Sequence, residues 1–160
     1  LAIELPWIVN VFGDISKIHV SKNKITDLEI DYPDSFFVTL THKNGSNGVL
    51  IVDLASRNAV RNLQIINEDV YISWDGTPQG FGEFDFDINE MKKLDLYDEI
   101  STKEDYNQTI IENAYLEEIK NFFNVLNSSE NALHSFEKDK YILDIIDIIE
   151  SIHDTEVYEV

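Results

Sequence analysis

Apolar residues recur at two different spacings along the chain, and these spacings predict different elements. Between residues 3 and 12 the apolar side chains are three or four positions apart, which predicts a helix that ends at Gly13. From Ser16 onward apolar and polar residues alternate, which predicts β-strands. The predicted strands begin near Ser16 and continue at 36–41, 49–54, 60–66, 70–74 and 80–87. The Asn44-Gly45 pair predicts a type I′ turn in a hairpin between the second and third strands.

The last third of the chain returns to helical spacing. Apolar residues recur every three or four positions in 105–126 and again in 139–152, which predicts two amphipathic helices. Asp144 and Asp147 lie on the opposite stripe of the second helix, so we expect them to face water. Closely spaced strands followed by helices predict an α+β fold, an open, mostly antiparallel sheet of five or six strands with helices packed on one face. We find no internal repeat and no Ser/Gly-rich linker, so residues 1–160 are expected to form one domain.

The charge of the chain limits what it binds. Its 160 residues include 12 Lys and Arg against 31 Asp and Glu, a formal net charge of −19. Nucleic acid and anionic lipid are therefore not expected as partners, because phosphate contacts require a stripe of Lys and Arg. The sequence has no cysteine and no apolar run that approaches the length of a bilayer span. We expect a cytoplasmic protein without disulfides or thiolate metal ligands.

The histidines and acids form no motif for a metal or a catalytic group. The four histidines are scattered, and the one Glu-x-x-His, from Glu150 to His153, has no second copy. The acidic stretch from Asp27 to Asp34 begins with the spacing of a calcium loop, but Tyr32 stands where that loop needs glycine. We therefore expect a solvated strand connection there. The sequence contains no Gly-x-Gly-x-x-Gly, Walker lysine or Gly-x-Ser-x-Gly, so no metal, catalytic residue or bound cofactor is predicted within the chain.

Both arginines of the protein, Arg57 and Arg61, lie four residues apart at a junction between two predicted strands. Guanidinium groups bind carboxylate or phosphate in a planar, bidentate way, so this pair is a candidate site for an anionic ligand. The alternative is that each arginine pairs with one of the 31 acids and ties down the edge of the sheet. Trp74, at the end of a later strand, is a candidate for stacking on a ligand ring or for a core position at the sheet end.

The order of these elements, together with several short motifs, resembles the C-terminal domain of the Gfo/Idh/MocA oxidoreductases. The residues that carry the resemblance are spread over nearly the whole chain. They are Val11-Phe12-Gly13-Asp14, Leu28-Glu29-Ile30-Asp31, Lys43-Asn44-Gly45, Asp53 to Arg61, Leu63-Gln64-Ile65-Ile66, Tyr115-Leu116-Glu117-Glu118 with Phe122, and Leu143 to Ser151. The stretch from Arg57 to Asp75 is most similar to members that act on sugars in surface-polysaccharide pathways.

The resemblance implies that residues 1–160 are the C-terminal substrate-binding and oligomerisation domain of an NAD(P)-dependent sugar or sugar-nucleotide oxidoreductase. It implies that NAD or NADP is bound by an N-terminal Rossmann domain, which also carries the catalytic lysine and is absent from this chain. The fragment alone is then expected to be inactive. One face of the sheet would close the substrate site and the other would join subunits in a homo-oligomer. We expect substrate-binding roles for Arg57, Arg61, Trp74 and Glu4, with Arg57 the better supported of the two arginines.

The chain departs from this family at one motif. The family places His-x-x-Asp at the start of the helix that leads to Phe12 and Gly13, but here those positions hold Ile3 and Pro6, with Glu4 the nearest acid. This departure leaves open a second hypothesis, that the chain is a non-catalytic acidic protein-interaction domain. The first twelve residues have the apolar pattern of a buried element, and the chain begins with leucine and not with methionine. We therefore expect it to be a fragment of a longer protein.

Overall fold

The computed structural model describes residues 1–96, 112–132, 135–152 and 157–160. Three helices lie in these residues, Leu5–Phe12 (α1), Glu112–Leu126 (α2) and Phe136–Ser151 (α3). The strands are Ile15–Asn23 (β1), Ser35–His42 (β2), Asn47–Asp53 (β3), Leu63–Ile66 (β4), Tyr71–Trp74 (β5), Phe81–Asp85 (β6), Glu90–Lys93 (β7) and Val157–Glu159 (β8).

The strands form two antiparallel four-stranded sheets, in the orders β3-β2-β1-β8 and β4-β5-β6-β7. The predicted α+β class with antiparallel pairing is confirmed, but the described strands are divided between two sheets instead of forming one of five or six. The sequence pattern did not show β7, because Glu-Met-Lys-Lys has no apolar alternation, or β8, which is only 3 residues long. The chain divides into two compact units, a first unit of Leu1–Arg57 with His134–Val160 and a second unit of Asn58–Leu133.

The core of the first unit lies where one face of its sheet meets α3 and α1. Alternate residues of β1 and β2 are buried, and α3 contributes an isoleucine every three or four positions. The buried apolar residues are Leu5, Ile8, Ile15, Ile18, Val20, Val38, Leu40, Ile142, Ile145, Ile149 and Ile152. The predicted apolar stripe of the last helix is therefore confirmed. This helix begins three residues earlier than its spacing predicted, because the Ser135 hydroxyl caps it by accepting a hydrogen bond from the Lys138 N–H at 3.3 Å.

The first helix follows its sequence signals closely. Pro6 lies in the first turn of α1, where a missing N–H leaves no hydrogen bond unmade. Gly13 ends the helix with φ +82° and donates its N–H to the carbonyl oxygen of Val9 at 2.9 Å. The Gly13 stop predicted from the sequence is confirmed.

The hairpin between β2 and β3 is present, but its turn is not the predicted type I′. A type I′ turn needs positive φ at both central residues, whereas Gly45 has φ +91° and Asn44 is not among the residues with positive φ. The Gly45 N–H donates to the carbonyl oxygen of His42 at 2.9 Å, and the His42 N–H donates to that of Ser46 at 2.8 Å. The turn prediction is therefore wrong, because a three-residue loop with one left-handed glycine closes this hairpin.

Six large apolar residues of α2 face solvent in the described structure. Each of these side chains is more than half exposed: Tyr115, Leu116, Ile119, Phe122, Phe123 and Leu126. The helix itself is confirmed from Glu112 onward, and the start of the predicted span, 105–111, lies outside the described residues. Its amphipathic pattern thus predicted the helix without revealing what covers its apolar stripe.

Candidate functional site

Arg57 lies in the short segment that follows β3 and is exposed. The Asp53 Oδ1 atom accepts hydrogen bonds from the N–H groups of Ala55 at 2.9 Å and Ser56 at 3.0 Å. A turn built on this carboxylate therefore leads the chain from the sheet to Arg57. Within the described part of the chain the Arg57 side chain forms no hydrogen bond or ion pair. Its guanidinium is accessible to an anionic ligand.

Arg61 and Trp74 are stacked on each other in the second unit. The central guanidinium carbon of Arg61 lies 5.1 Å from the centroid of the indole, within the range of a cation–π interaction. The Trp74 Nε1–H donates to the carbonyl oxygen of Thr77 at 2.6 Å. These two contacts fix the indole in one orientation, with Arg61 over one of its faces.

A tight turn follows β5 and is closed by its own side chains. The Thr77 N–H and hydroxyl donate to Asp75 Oδ1 at 2.9 and 2.7 Å, and these bonds hold the pKa of Asp75 below its ordinary value. Gly76 has φ +88°, and a Cβ at this position would lie 2.3 Å from the carbonyl oxygen of Arg61. A Cβ at Gly80 would lie 1.7 Å from Asp75 Oδ1. Glycine at both positions therefore lets the turn pack directly against Arg61 and Asp75.

Glu4 lies directly before α1 in the first unit, and its carboxylate already has a partner. The Trp7 Nε1–H donates to Glu4 Oε2 at 2.7 Å. Ile3, which stands where the resembling family has histidine, is 75% exposed. Pro6, which stands where that family has aspartate, lies in the first turn of the helix. Neither Ile3 nor Pro6 supplies an acid or a base at this position.

The four predicted binding residues are divided between the two units. Glu4 and Arg57 belong to the first unit, and Arg61 and Trp74 belong to the second. The sequence spacing suggested one site built from both arginines, and this stays a prediction. The boundary between the units falls directly after Arg57. The contact that the structure establishes within this set is the stack of Arg61 on Trp74.

Asp34 has a structural role that the sequence did not reveal. Its side chain is buried and accepts hydrogen bonds from the N–H groups of Ile25 at 2.7 Å and Thr26 at 3.0 Å. The Lys24 ammonium donates at 2.9 Å, and the Thr26 hydroxyl donates as well. Burial by itself raises the pKa of Asp34, but these hydrogen bonds outweigh it and hold the pKa well below its ordinary value. The connection between β1 and β2 is therefore organised around one buried carboxylate and is not simply solvated.

His42 is a second buried polar residue that sequence reasoning passed over. Its Nδ1 atom lies 2.7 Å from the carbonyl oxygen of Gly13, and its ring centroid lies 5.7 Å from that of Phe12. These contacts tie the end of α1 to β2. Only its position two residues after Leu40, one residue beyond the strand predicted at 36–41, could have indicated that His42 is buried.

A cavity of about 250 Å³ lies in the first unit beside the core. Its lining is mostly apolar and includes Tyr32, Phe36, Val52, Leu54 and Ile146, together with the two acids Asp34 and Glu150. A sugar needs several converging hydrogen-bond partners. The buried Asp34 carboxylate in this wall is already engaged by Lys24, Ile25 and Thr26. We therefore do not assign this cavity to a sugar ligand.

Two further observations apply to the described residues alone. No three His, Asp or Glu side chains among them are grouped so that they could hold a metal ion. Two of the four histidines, His134 and His153, lie outside the described residues. His153 is the histidine of the Glu-x-x-His that begins at Glu150. No helix in the described ranges combines the length and the apolar character needed to cross a bilayer.

The fold is shared with a region of several solved oxidoreductases. No protein-family model and no curated protein matches the sequence. An oxidoreductase from Agrobacterium radiobacter, in complex with NAD⁺, L-tartaric acid and magnesium, matches 99% of this chain with a TM-score of 0.77 and 14% identity. The WlbA dehydrogenase from Bordetella pertussis, in complex with NADH and UDP-GlcNAcA, matches 99% with a TM-score of 0.68 and 12% identity. The aldose-aldose oxidoreductase from Caulobacter crescentus, complexed with glycerol, matches 99% with a TM-score of 0.67 and 11% identity.

The matched region is less than half of each of these proteins. The chain covers 47% of the Agrobacterium structure, 43% of the Bordetella structure and 45% of the Caulobacter structure. At 11 to 14% identity the likeness establishes the fold. The chain thus has a fold that occurs as one part of larger oxidoreductases, in agreement with the fold that its sequence resemblance implied.

Proposed function

We propose that this chain is the substrate-binding and dimerisation domain of an NAD(P)-dependent oxidoreductase of the Gfo/Idh/MocA family, acting on a sugar or sugar nucleotide in surface-polysaccharide synthesis. The observation that carries this proposal is the match of 99% of the chain, with TM-scores of 0.67 to 0.77, to parts of three oxidoreductases. One of them is in complex with NADH and UDP-GlcNAcA, which supports the choice of a sugar nucleotide.

The cofactor in this proposal is bound outside the chain. A dinucleotide fold needs a glycine-rich turn between a strand and a helix, and the sequence has no Gly-x-Gly-x-x-Gly. The described residues therefore do not fit a nicotinamide dinucleotide. NAD or NADP, bound by another domain, would supply the hydride chemistry. The contribution of this chain is to bind and orient the sugar and to exclude water from it.

The accessible guanidinium of Arg57 is the proposed anchor for the anionic part of the substrate. A diphosphate or a hexuronate carboxylate accepts two parallel hydrogen bonds from one guanidinium, which fixes both position and orientation. Arg61 and Trp74 provide a planar stacked pair, suited to contact with a sugar ring or base. Glu4 is the proposed acceptor for a sugar hydroxyl.

The outer face of the first sheet, opposite the core, is the proposed dimer interface. Phe37, Val49 and Ile51 on this face are at least half exposed. Of the acids at its margin, Glu159 is paired with Lys17 at 2.9 Å. Two copies that each carry a net charge of −19 repel each other. This repulsion is weakest at a face that has exposed apolar residues and few unpaired acids, so a second copy can approach there.

Replacing Arg57 with alanine in the intact protein is expected to weaken binding of UDP-GlcNAcA about 10-fold or more, because a charge-assisted bidentate contact is lost. Isothermal titration calorimetry measures this affinity directly. Lys140→Ala is the matched control, since it removes one exposed cation from the same unit, where Lys140 pairs with Asp144 at 2.7 Å. Equal affinities for the wild type and Arg57→Ala would remove Arg57 from the substrate site.

A second function, a non-catalytic acidic interaction domain, is favoured by one observation. Ile3 and Pro6 stand where the resembling family has His-x-x-Asp, so a proton-transfer pair is missing there. An intact protein that forms dimers but binds neither NAD(H) nor any sugar nucleotide would support this second function over the first.

A further inference from the structure

The β3 strand forms one edge of the first sheet, and this edge is long and almost uncharged. In the part of the chain that the structure describes, β3 has a strand partner only on the β2 side. Its sequence, NGVLIVD, contains one charged residue, Asp53, at its end. Its pairing with β2 continues from Asp53 to Asn47 without a register shift. Edge strands of soluble proteins usually carry Lys, Pro or a bulge that prevents pairing with another strand, and β3 has none of these.

The hydrogen bonds at the two ends of the hairpin show which backbone groups of β3 point outward. The His42 N–H donates to the carbonyl oxygen of Ser46, and the Leu54 N–H donates to that of Asp34, both at 2.8 Å. Because bonded and non-bonded pairs alternate in an antiparallel ladder, these two bonds fix the pattern between them. The residues bonded to β2 are Gly48, Leu50 and Val52, and those whose N–H and C=O point along the free edge are Asn47, Val49, Ile51 and Asp53.

We propose that β3 pairs antiparallel with β3 of a second copy of this chain, about a two-fold axis at Leu50. This pairing joins the two β3-β2-β1-β8 sheets into one continuous sheet. Val49 then lies opposite the second copy's Ile51, and Asn47 lies opposite the second copy's Asp53. Both residues of each of these pairs have backbone N–H and C=O groups that point toward the other copy. Each outward N–H can therefore donate a hydrogen bond to an outward C=O of the second copy.

Charge and strand length both select this register. Centring the pairing on Leu50 uses the whole of Asn47–Asp53, because Leu50 is the middle residue of the strand. The two Asp53 carboxylates then lie at opposite ends of the paired strands, each opposite a neutral asparagine. A shift by two residues would leave part of the edge unpaired and place Asp53 opposite an apolar residue or beyond the partner strand. A second copy, which carries the same charge of −19, therefore fits this edge best when it is paired through Leu50.

A single cysteine tests this pairing, because the chain has none of its own. In the proposed dimer Leu50 faces itself in a non-hydrogen-bonded pair, with Cα atoms about 4.5 Å apart, which is within reach of a disulfide. We expect oxidised glutathione to convert most of the Leu50→Cys chain into a disulfide-linked dimer on a non-reducing gel. Val52→Cys is the matched control, since the two copies of this residue would lie about 13 Å apart along the strands. It should give less than about one-tenth as much dimer, because disulfides do not bridge such a distance.

Two further variants separate edge pairing from other contacts. Val49→Pro removes an outward N–H that makes no bond to β2, so it should abolish cross-linking of Leu50→Cys while the circular dichroism spectrum is unchanged. Val49→Ala keeps that N–H and should still cross-link. Thr39→Lys places a charge on the outer face of β2, so it should break a dimer formed through that face and leave the cross-link intact.

The proposal is overturned if the folded Leu50→Cys chain stays monomeric under oxidation, if Val52→Cys cross-links equally well, or if Val49→Pro leaves the cross-link unchanged. Should Leu50→Cys fail to fold, sedimentation velocity of the cysteine-free protein decides the matter. Val49→Pro is then expected to halve the mass of the assembly while Val49→Ala keeps the wild-type mass, because only proline removes the outward N–H. A folded Val49→Pro variant with the wild-type mass, or an equal loss of mass in Val49→Ala, overturns the pairing. If the wild type is monomeric and its edge instead captures an unrelated extended peptide, the second copy is the wrong occupant.

Discussion

Replacing Asp34 with alanine is expected to lower the Tm of the protein by about 10 °C. Only 1% of the surface of Asp34 is exposed to solvent, and its carboxylate accepts hydrogen bonds from Lys24, Ile25 and Thr26. Alanine leaves these donors without their acceptor and leaves the Lys24 ammonium without its ion pair. Asp31→Ala is the matched control, because Asp31 is an exposed acid of the same connection, and its removal should change Tm by about 2 °C or less. Similar losses of Tm in both variants would contradict the structural role of Asp34.

The stabilisation by Asp34 is also expected to depend on pH in a defined direction. The pKa of Asp34 is lower in the folded protein than the value of about 3.9 for an unfolded aspartate. Its contribution is therefore fully present above about pH 5 and is lost as the pH falls through the folded pKa. The difference in Tm between the wild type and Asp34→Asn should shrink on titration from about pH 7 to pH 3. A difference that stays constant or grows over this range would show that the carboxylate charge does not stabilise the loop.

Replacing Gly76 with alanine is expected to destabilise the second unit by about 2–4 kcal/mol. Gly76 has φ +88°, which costs any L-residue free energy, and a Cβ would lie 2.3 Å from the carbonyl oxygen of Arg61. The clash involves backbone, so it cannot be relieved by a change of rotamer. The same displacement would disturb the stack of Arg61 on Trp74.

The two tryptophans allow the effect of Gly76→Ala to be followed in the second unit alone. Trp7 belongs to the first unit and Trp74 to the second, so urea unfolding is measured by Trp74 fluorescence in a Trp7→Phe background. Gly45→Ala is the control for the backbone conformation, because Gly45 has φ +91° and nothing lies within 4 Å of an added Cβ. Since Gly45 belongs to the first unit, its unfolding is followed by Trp7 fluorescence in a Trp74→Phe background. It should cost about 1–2 kcal/mol, the conformational part only. If both substitutions cost the same, the close contact with Arg61 contributes nothing.

The elements with a strong period could be predicted from the sequence. The apolar stripe of α3 and the Gly13 stop of α1 depend on local spacing, and the structure confirms both. The alternation in β1 and β2 likewise predicted which residues face the core. The strands β7 and β8 could not be predicted, because backbone pairing with a neighbouring strand, and not an apolar period, holds their residues in the sheet. The division of the strands into two sheets depends on long-range pairing that local patterns do not encode.

The candidate site was harder to predict than the fold. The sequence named Arg57, Arg61 and Trp74 as candidates, and their common site stays a prediction. The position of Arg61 over the Trp74 ring, within the second unit, is a contact that the sequence did not indicate. The role of Asp34 was hidden because in the sequence it is one of several acids in a loop. Its burial results from the way the chain folds back on Ile25 and Thr26. The predicted strands at 70–74 and 80–87 leave a connection that contains Gly76, but the close approach to Arg61 that requires glycine there is a tertiary contact.

The proposed function would give the chain a defined part in an oxidoreductase. Arg57 would hold the anionic group of a sugar nucleotide, while Arg61 and Trp74 would present a planar surface. Hydride transfer would take place between a ring carbon of the sugar and a nicotinamide held by another domain. In this proposal the chain would contribute orientation, and loss of orientation alone lowers rates strongly even when the chemistry is supplied elsewhere.

Mixing the intact protein with a nicotinamide dinucleotide and UDP-GlcNAcA, and following the absorbance of the reduced nicotinamide, separates an oxidoreductase from an interaction domain. We expect the absorbance of the reduced nicotinamide to rise when NAD⁺ or NADP⁺ is mixed with the sugar nucleotide, and to fall when the reduced cofactor is mixed with the oxidised sugar. Either change should require both reactants. The initial rate at low sugar-nucleotide concentration should fall about 10-fold or more in Arg57→Ala. A folded intact protein that binds no nicotinamide dinucleotide, and shows no absorbance change with any sugar nucleotide or aldose, would contradict the proposed function.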